Sequence, residues 1–168
     1  KEVYSRKNYI NTINLQKFYQ NKEIKLVCIS NEQKKILSDY LKVDLKRIKV
    51  AYNPIDFDRI DKFSVSEAVN MNDYLLGLGS LSRRKRFDRL ILAAIELRRP
   101  LILIGNGPEK DNLQKLVKDK KADSFIYFLG FKKNPYPYIK NASALVLTSD
   151  SEGLPTVIIE SIFLGTVV

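Results

Sequence analysis

Short apolar runs alternate with amphipathic stretches along the chain from Tyr74 onward. The runs are rich in Leu, Ile and Val, which is typical of buried strands, and the stretches between them repeat apolar residues at helical intervals. The pattern predicts strands at Tyr74–Gly79, Leu101–Gly105, Ile126–Leu129 and Ala144–Thr148, and helices at Phe87–Leu97, Glu109–Lys120, Tyr136–Asn141 and Thr156–Leu164. Repeated strand–helix units with continuously apolar strands indicate an α/β fold: a doubly wound, Rossmann-like parallel sheet with helices on both faces.

The chain before Tyr74 is less regular. Its patterns predict a strand at Lys25–Ser30, a helix capped by Ser30 or Asn31 and running through Leu41, a strand at Ile48–Tyr52, and a turn at Asn53-Pro54-Ile55-Asp56. Apolar positions within residues 1–21 indicate a further helix. Asp61–Asn72 is polar and poorly patterned, and we interpret it as a linker or exposed segment.

The stretch from Ser149 to Gly165 follows the last predicted strand and carries the most chemistry. Gly153 allows a sharp turn, and Pro155 suits a first helical turn because it has no N–H to leave unpaired, so a helix is predicted to begin near Pro155. The free N–H groups and positive dipole end of such a helix favour an anion such as a phosphate. An ionised glutamate accepts two hydroxyl hydrogen bonds, so Glu152 in the loop and Glu160 in the helix indicate a nucleotide-sugar site. That both are ordinary exposed glutamates is an equally good interpretation of the pair alone.

Three other predicted strands end in segments that contain glycine: Gly79-Ser80-Leu81, Gly105-Asn106-Gly107-Pro108 and Gly130-Phe131. Ligands of parallel sheets bind beyond the carboxyl ends of the strands, so we expect these segments to form one site with Thr148–Pro155. Tight turns between strand and helix explain the glycines about as well. The dinucleotide-binding spacing G-x-G-x-x-G is not met, because its third glycine would fall on Lys110, and the sequence also lacks a P-loop.

A run of four basic residues, Arg83-Arg84-Lys85-Arg86, lies between a predicted strand and its helix. A cation held there can reach a diphosphate and stabilise the negative charge that develops as a bond to it breaks. Basic runs are more often solvated loops, and they also resemble nucleic-acid patches. The sequence near the run lacks interleaved aromatic residues on which bases would stack, which weakens the nucleic-acid interpretation. A non-catalytic nucleotide- or nucleic-acid-binding α/β module remains the alternative function.

Composition narrows the choice of chemistry. The chain has 168 residues, 45% of them hydrophobic, and a net charge of +10, which favours polyanionic partners such as nucleotides, nucleic acid or an anionic membrane face. It contains no histidine, which excludes His-based acid–base catalysis within this stretch. The single cysteine, Cys28, is predicted to be a buried thiol, which fits a reducing, cytosolic setting. The absence of an initiator Met and an end at Val167–Val168 that resembles the start of a strand indicate a piece of a longer protein.

Taken in order, the motifs resemble the carboxyl-terminal, donor-binding domain of glycosyltransferase family 4. These are retaining enzymes of the GT-B fold that include bacterial capsule, lipopolysaccharide and glycolipid transferases. The resemblance covers nearly the whole chain from about Lys25, and its most specific part is the family's E-x7-E pattern, met by Glu152 and Glu160. The matching segments are Ser30 with the residues after it, Asn53-Pro54-Ile55-Asp56, Gly79-Ser80-Leu81 with Lys85 and Phe87-Asp88, Ile104 to Glu109, Phe128-Leu129-Gly130-Phe131, Asn134 to Tyr138, and Ser151 to Glu160.

The resemblance implies a role for each matching residue. Lys85 and Glu152 are the implied catalytic residues: Lys85 holds the donor diphosphate, and Glu152 lies near the transferred sugar. Glu160 binds the donor ribose, and Phe131 lines the base. The other implied donor-binding residues are Gly79, Ser80, Gly105, Asn106, Gly153, Leu154 and Thr156. Neither a metal nor any other cofactor is implied, because Lys85 and the helix start provide the charge neutralisation that a cation provides elsewhere.

The resemblance also implies a domain organisation and a function. Residues 1–56 would end the amino-terminal, acceptor-side domain and its linker, and residues 57–168 would form a donor-binding domain truncated at its carboxyl end. The enzyme would transfer a hexose or N-acetylhexosamine from a UDP- or GDP-linked sugar to a lipid-linked or glycan acceptor in bacterial surface polysaccharide synthesis. It would act in the cytoplasm, with a peripheral contact to anionic membrane and without a nucleic-acid partner. The fragment alone is expected to bind donor weakly and to be inactive, and a homologue that has lost activity is a third alternative.

One departure from the family pattern affects the diphosphate site. Many members have Arg where this chain has Ser80. The diphosphate clamp would then depend on Lys85, or on one of its basic neighbours Arg83, Arg84 and Arg86.

Overall fold

The computed structural model describes residues 14–65 and 71–168. The chain divides into two compact units, Lys1–Pro54 and Ile55–Val168. This division lies slightly before the predicted boundary after Asp56, and the interpretation of the first unit as the end of an acceptor-side domain stays a prediction.

The first unit contains a two-stranded parallel sheet. Strand β1 (Leu26–Cys28) pairs with β2 (Ile48–Val50), and helix α1 (Asn31–Leu41) connects them. The Ser30 hydroxyl caps α1 by accepting a 3.1 Å hydrogen bond from the Gln33 N–H, as predicted. Residues 14–20 are also helical. Cys28 is buried, as its apolar surroundings predict, and packs with Leu26, Leu41, Val43 and Ile48.

The second unit contains a four-stranded parallel sheet with strand order β5-β4-β3-β6. Its strands are β3 (Leu75–Leu78), β4 (Leu101–Ile104), β5 (Ile126–Gly130) and β6 (Ala144–Leu145). Its helices are α2 (Phe57–Ser64), α3 (Phe87–Glu96), α4 (Lys110–Asp119), α5 (Tyr136–Lys140) and α6 (Thr156–Phe163). The predicted doubly wound parallel sheet is therefore confirmed.

Both faces of this sheet are covered, which is why its strands are continuously apolar. Side chains alternate along β4, so that Leu101 and Leu103 pack with α3 and α4 in one buried cluster. Ile102 and Ile104 enter a second cluster on the opposite face, with Ile139 of α5. The two clusters give the sheet a core on each side.

The strand order reverses at β3. The chain adds β4 and β5 on one side of β3 and then crosses to place β6 on the other side, so β3 pairs in parallel with both β4 and β6. Such a reversal leaves a crevice above the carboxyl ends of the two strands that flank it, and ligands of open α/β sheets bind there. The loops after β3 and β6 are therefore the first place to look for a site.

Two sequence predictions about elements were wrong in part. Asp61–Ser64 is not a linker but the second half of α2, whose helical fold is stabilised by an Asp56 side-chain cap on the Arg59 N–H and by the burial of Ile60. Residues 66–70 of that prediction lie outside the described residues. The predicted strand Ala144–Thr148 is regular only through Leu145, because the chain leaves the ladder after the Val146 N–H donates to the Leu76 carbonyl at 2.8 Å. On its other edge β6 forms a parallel bridge from Ala144 to Val167, at the predicted strand start.

Gly105 offers a test of how closely β3 and β4 approach at their ends. It has φ +143°, and a Cβ there would lie 1.8 Å from the Gly79 carbonyl oxygen. We expect Gly105→Ala to lower the free energy of unfolding by more than about 2 kcal/mol, measured by urea denaturation, because strain and overpacking add.

Gly130→Ala is the matched control. Gly130 also has positive φ, +67°, but apart from Gly130 itself and its two chain neighbours, no described residue has an atom within 4 Å of where its Cβ would be. It should cost about 1 kcal/mol from backbone strain alone. Equal losses for the two variants would contradict the close backbone approach.

Candidate functional site

A cavity of about 500 Å³ lies at the carboxyl ends of β3, β4 and β5. The sequence-predicted site residues that line it are Gly79, Ser80, Gly105, Asn106 and Phe131, and they are joined by Leu78, Ile104, Lys132 and Pro135. Phe131 is 77% exposed, unusual for a large aromatic side chain, and so offers a free ring at this cavity. The segments after β3, β4 and β5 thus meet at one cavity, but none of the residues Thr148–Pro155, which the sequence predicts to join them, lines it.

The glycine loops after β3 and β4 lie against each other backbone to backbone. The Leu81 N–H donates to the Asn106 carbonyl at 3.0 Å, and the Glu109 N–H donates to the Leu81 carbonyl at 2.9 Å. A Cβ at Gly107 would lie 2.4 Å from that Leu81 oxygen. Glycine is therefore needed here for close approach of two loops, which a set of independent tight turns would not require.

Gly79 and Gly105 together form a backbone surface of the cavity, which we call its glycine floor. The Lys85 side chain folds back over the Gly79 part of this floor. Lys85 ends a short 3-10 turn, Arg83–Lys85, and a Cβ at Gly79 would lie 3.5 Å from its Cε and 3.7 Å from its Nζ. The side chain is only 16% exposed. Its ammonium group consequently lies next to the wall of the cavity that Gly79 lines.

Glu152 receives this ammonium group. Lys85 Nζ lies 2.6 Å from Glu152 Oε1, and Arg84 Nη1 lies 3.2 Å from Glu152 Oε2. Partial burial of the carboxylate opposes ionisation, but hydrogen bonds from Lys85, Ser149 and Arg84, with the charge of Lys85, outweigh it and lower the pKa of Glu152 to about 2. Glu152 is therefore an anion at every physiological pH.

Backbone contacts fix the loop that carries Glu152 to the basic run. The Asp150 N–H donates to the Arg84 carbonyl at 2.9 Å, and the Arg84 guanidinium donates to the Ser151 carbonyl. The Thr148 hydroxyl lies 3.0 Å from the Lys85 carbonyl oxygen and 2.9 Å from that of Arg86. The meeting of Lys85 and Glu152 thus follows from the way the two loops are joined.

The basic run is divided between two places. Arg84 and Lys85 hold Glu152, whereas Arg86 pairs with Asp88 at 2.8 Å and reaches Asp150 at 3.5 Å. Arg83 and Arg86 line a different cavity, of about 510 Å³, whose walls include Phe87, Asp88, Glu109 and Asp150. Acidic partners therefore balance much of the charge of the run, so it is not a free, solvated basic loop.

Helix α6 begins at Thr156 after Pro155, as predicted, and its start has no side-chain cap among the described residues. Gly153 and Leu154 form the short link between Glu152 and this helix start. The Ile158 N–H donates to the Pro155 carbonyl at 3.1 Å, which leaves the N–H groups of Thr156 and Val157 available as donors to an anion.

Glu160 lies in α6, half-buried. Burial raises its pKa, and a hydrogen bond with Thr156 partly opposes that rise. Tyr136 of α5 lies close enough to interact with this carboxylate. Burial is the larger cause that raises the pKa of Tyr136, and the negative charge of Glu160 raises it further. The structure thus joins Lys85 to Glu152 directly, and places Glu160 with Thr156 and Tyr136.

Sequence reasoning missed several residues of this site, including Leu78 and Ile104 of the cavity lining. Lys132 and Pro135 line the cavity beside Phe131, and Tyr136 lies near Glu160. Asn134 to Tyr138 matched the family pattern, yet the pattern gave that segment no role. The contact of Arg84 with Glu152 was also not predicted from the sequence, because spacing alone does not show which way each side chain turns.

Within residues 14–65 and 71–168, no three His, Cys, Asp or Glu side chains are grouped so that they could hold a metal ion. No helix in the same part of the chain is long and apolar enough to span a bilayer.

Comparison with known proteins places this geometry in context. The family model described as glycosyl transferases group 1 matches residues 58–168. Over 119 residues the chain is 30% identical to the Campylobacter jejuni N-acetylgalactosamine-N,N'-diacetylbacillosaminyl-diphospho-undecaprenol 4-alpha-N-acetylgalactosaminyltransferase, a match that covers 70% of this chain and 33% of that protein. The chain spans about a third of the length of the curated relatives it matches.

Two solved structures share the fold. WaaG, a glycosyltransferase involved in lipopolysaccharide biosynthesis, matches with a TM-score of 0.73 and 20% identity, over 88% of this chain and 44% of its own. Anabaena Alr3699/HepE, solved in complex with UDP and glucose, matches with a TM-score of 0.72 and 20% identity, over 96% of this chain and 47% of its own. The architecture is that of the GT-B glycosyltransferases.

The lowered pKa of Glu152 predicts a pH dependence of stability. Because the folded pKa, about 2, lies below the ordinary value of 4.5, the pair stabilises the fold fully above about pH 4.5, and this stabilisation is lost as the pH falls towards 2. The Glu152→Gln variant cannot titrate at this position, so its free energy of unfolding should fall less between pH 5 and 2 than that of the wild type. The slope of the unfolding free energy against pH should be smaller by the equivalent of up to about one bound proton. Urea denaturation at several pH values measures it.

Glu96→Gln, at an exposed position on α3, is the control and should leave the slope unchanged. A Glu152→Gln variant with the wild-type pH profile would show that the pair does not hold in solution.

Proposed function

The chain belongs to the glycosyl transferases group 1 family, and we propose that this protein is a retaining, family 4 type glycosyltransferase using a nucleotide diphosphate sugar as donor. It transfers a hexose or N-acetylhexosamine to a lipid-linked or glycan acceptor in the synthesis of a bacterial surface polysaccharide. In this proposal residues 57–168 hold the donor.

One observation carries the proposal: the Lys85 ammonium lies 2.6 Å from the Glu152 carboxylate, over the glycine floor of the cavity. A cation at a backbone-lined floor suits a diphosphate, which needs positive charge and close approach. A fixed, ionised carboxylate beside it suits a sugar, whose hydroxyl groups donate hydrogen bonds. The two together match a sugar attached to a diphosphate.

The remaining features of the cavity suit a nucleoside. Its volume, about 500 Å³, falls in the usual range for small-molecule sites. The exposed ring of Phe131 offers an apolar face against which a base can pack. Glu160, on the helix that begins beside Glu152, is proposed to accept hydrogen bonds from the ribose hydroxyls. That HepE was solved with UDP and glucose supports a UDP-linked donor, with GDP as the alternative.

The proposed chemistry concerns the charge that develops on the leaving diphosphate. As the bond between the sugar carbon and the diphosphate oxygen breaks, negative charge collects on that oxygen. Lys85 and the uncapped N–H groups at the start of α6 neutralise this charge, so the proposal assigns the reaction no metal or other cofactor. Glu152 orients the sugar through its hydroxyl groups.

The proposed acceptor follows from the relatives and from charge. The Campylobacter protein is named for transfer to a diphospho-undecaprenol acceptor, which supports a lipid-linked acceptor here. The net charge of +10 supports a peripheral, cytoplasmic-side contact with anionic lipid. The alternative of a nucleic-acid-binding module loses its main support, because acids balance much of the basic run.

Lys85→Ala tests the diphosphate site. A charge-assisted hydrogen bond contributes about 1.5–3 kcal/mol, so the affinity of the protein for UDP-glucose, UDP-N-acetylglucosamine or GDP-mannose, whichever it binds, should fall about 10- to 100-fold in isothermal titration. Lys46→Ala removes the same charge from an exposed position in the first unit and should change affinity little. Equal affinity losses in the two variants would contradict the assignment of Lys85.

Glu160→Gln separates nucleotide-sugar binding from general polyanion binding. The change removes one acceptor for ribose hydroxyls and one negative charge, so it should weaken binding of the nucleotide sugar while leaving retention on heparin unchanged or stronger. Parallel titration and heparin chromatography measure the two. A protein that binds single-stranded DNA with a steep salt dependence and shows no preference for nucleotide sugars would favour the alternative function instead.

A further inference from the structure

We propose that Arg84 is a positioning residue that keeps hold of Glu152 while Lys85 passes from the Glu152 carboxylate to the donor diphosphate. The inference rests on the proposed function and adds a step to it. In the ligand-free protein Glu152 pairs with the Lys85 ammonium group, which the diphosphate would bind. After Lys85 has moved to the diphosphate, Glu152 binds the sugar.

The two cations contact different oxygens of one carboxylate. Lys85 Nζ lies 2.6 Å from Oε1, and Arg84 Nη1 lies 3.2 Å from Oε2. A diphosphate entering the cavity competes with Oε1 for the Lys85 ammonium group, because both anions are attracted to the same positive charge. When Lys85 turns to the diphosphate, Oε1 loses its cation beside the donor while Oε2 stays on Arg84, and the hydrogen bond from Ser149 remains on the carboxylate.

Arg84 is built to hold the loop as well as the carboxylate. Its guanidinium also donates to the Ser151 carbonyl, and its own carbonyl accepts the Asp150 N–H at 2.9 Å. The loop therefore stays joined to the basic run through Arg84 when the contact between Lys85 and Glu152 opens. Without Arg84, Glu152 would lose its remaining side-chain cation and the orientation that sugar binding requires.

The neighbours of Arg84 have other contacts. Arg86 is engaged with Asp88 and Asp150, and Arg83 lines the second cavity. The Arg84 side chain is 51% exposed, so its ion pair with Glu152 contributes little to the stability of the fold. Its contribution is geometric: it holds one oxygen of Glu152 in place.

This arrangement links recognition of the sugar to recognition of the diphosphate. A nucleotide without a sugar must displace Glu152 from Lys85 and gains nothing from the freed carboxylate. A nucleotide sugar recovers that cost through hydroxyl hydrogen bonds to Oε1. Glu152 thus acts as a built-in competitor against sugar-free nucleotide, including the diphosphate product.

Isothermal titration with UDP and with UDP-glucose, UDP-N-acetylglucosamine and UDP-N-acetylgalactosamine tests the exchange. Glu152→Gln should bind UDP several-fold more tightly and lose the preference for a UDP-sugar over UDP. Arg84→Gln should match Arg83→Gln, the charge-matched control, in its affinity for UDP, yet lose about tenfold in affinity for the preferred UDP-sugar. If Arg84→Gln and Arg83→Gln weaken the binding of UDP and of the UDP-sugar to the same extent, Arg84 contributes only a general positive charge and the inference is overturned.

A second measurement, on the ligand-free protein, does not depend on any nucleotide. Carbon NMR of the side-chain carboxyl of Glu152 should show a higher pKa in Arg84→Gln than in wild type, and no change in Arg83→Gln. An unchanged pKa in Arg84→Gln would show that Arg84 does not hold the carboxylate, even if nucleotide sugars bind as proposed. Wild-type protein that binds neither UDP nor any UDP-sugar would overturn the proposed function for UDP-sugars and the exchange with it, while the NMR result would still report the contact itself.

Discussion

The pairing of β3 with β4 on one side and β6 on the other is the constraint on which the site depends. Neighbouring parallel strands end at the same edge of a sheet, so the loop after β3 and the loop after β6 meet there. Lys85 and Glu152 are 67 positions apart in sequence, yet they are 2.6 Å apart in space because each lies in a loop that leaves this edge. The local sequence around either residue contains no trace of the other.

Glycine residues at the ends of β3 and β4 allow the two chain segments to come into backbone contact at this edge. The chain at Gly79 and Gly105 comes so close that a side chain at Gly105 would overlap the Gly79 carbonyl. The resulting floor is made of backbone whose N–H groups at Gly79 and Gly105 already donate to the Ile104 and Gly130 carbonyls, each at 2.9 Å. The positive charge above this floor comes from Lys85, whose side chain lies over Gly79.

Charge in this region is more balanced than the composition indicates. A net charge of +10 and four consecutive basic residues describe a strongly cationic segment, but Glu152, Asp88 and Asp150 engage three of the four. Glu152 contacts two cations at once, and despite partial burial the hydrogen bonds from Lys85, Ser149 and Arg84, with the charge of Lys85, keep its pKa far below the usual range. The positive charge of the run is thus held largely by neighbouring acids, which is not the case in a freely solvated basic loop.

The sequence by itself determined the succession of strands and helices from Tyr74 onward, the start of α6 just after Pro155, the buried thiol of Cys28 and the set of glycines at the strand ends. These features follow from local rules: apolar periodicity, capping residues and backbone freedom act over a few neighbouring positions. The helix over Asp61–Ser64 was not predicted, although Asp56 caps it and Phe57, Ile60 and Phe63 recur at helical intervals. Its polar residues indicated an exposed segment instead, and Asp61, Lys62 and Phe63 are exposed.

Tertiary structure alone decided which basic residue meets which acid, which loops share a backbone floor and which side chains line the cavity. Arg83, Arg84 and Arg86 are alike in sequence, yet Arg84 turns to Glu152 whereas Arg83 and Arg86 line the second cavity. Side-chain direction at a loop depends on the neighbours that the fold brings near it, and those neighbours come from strands that are far apart along the chain.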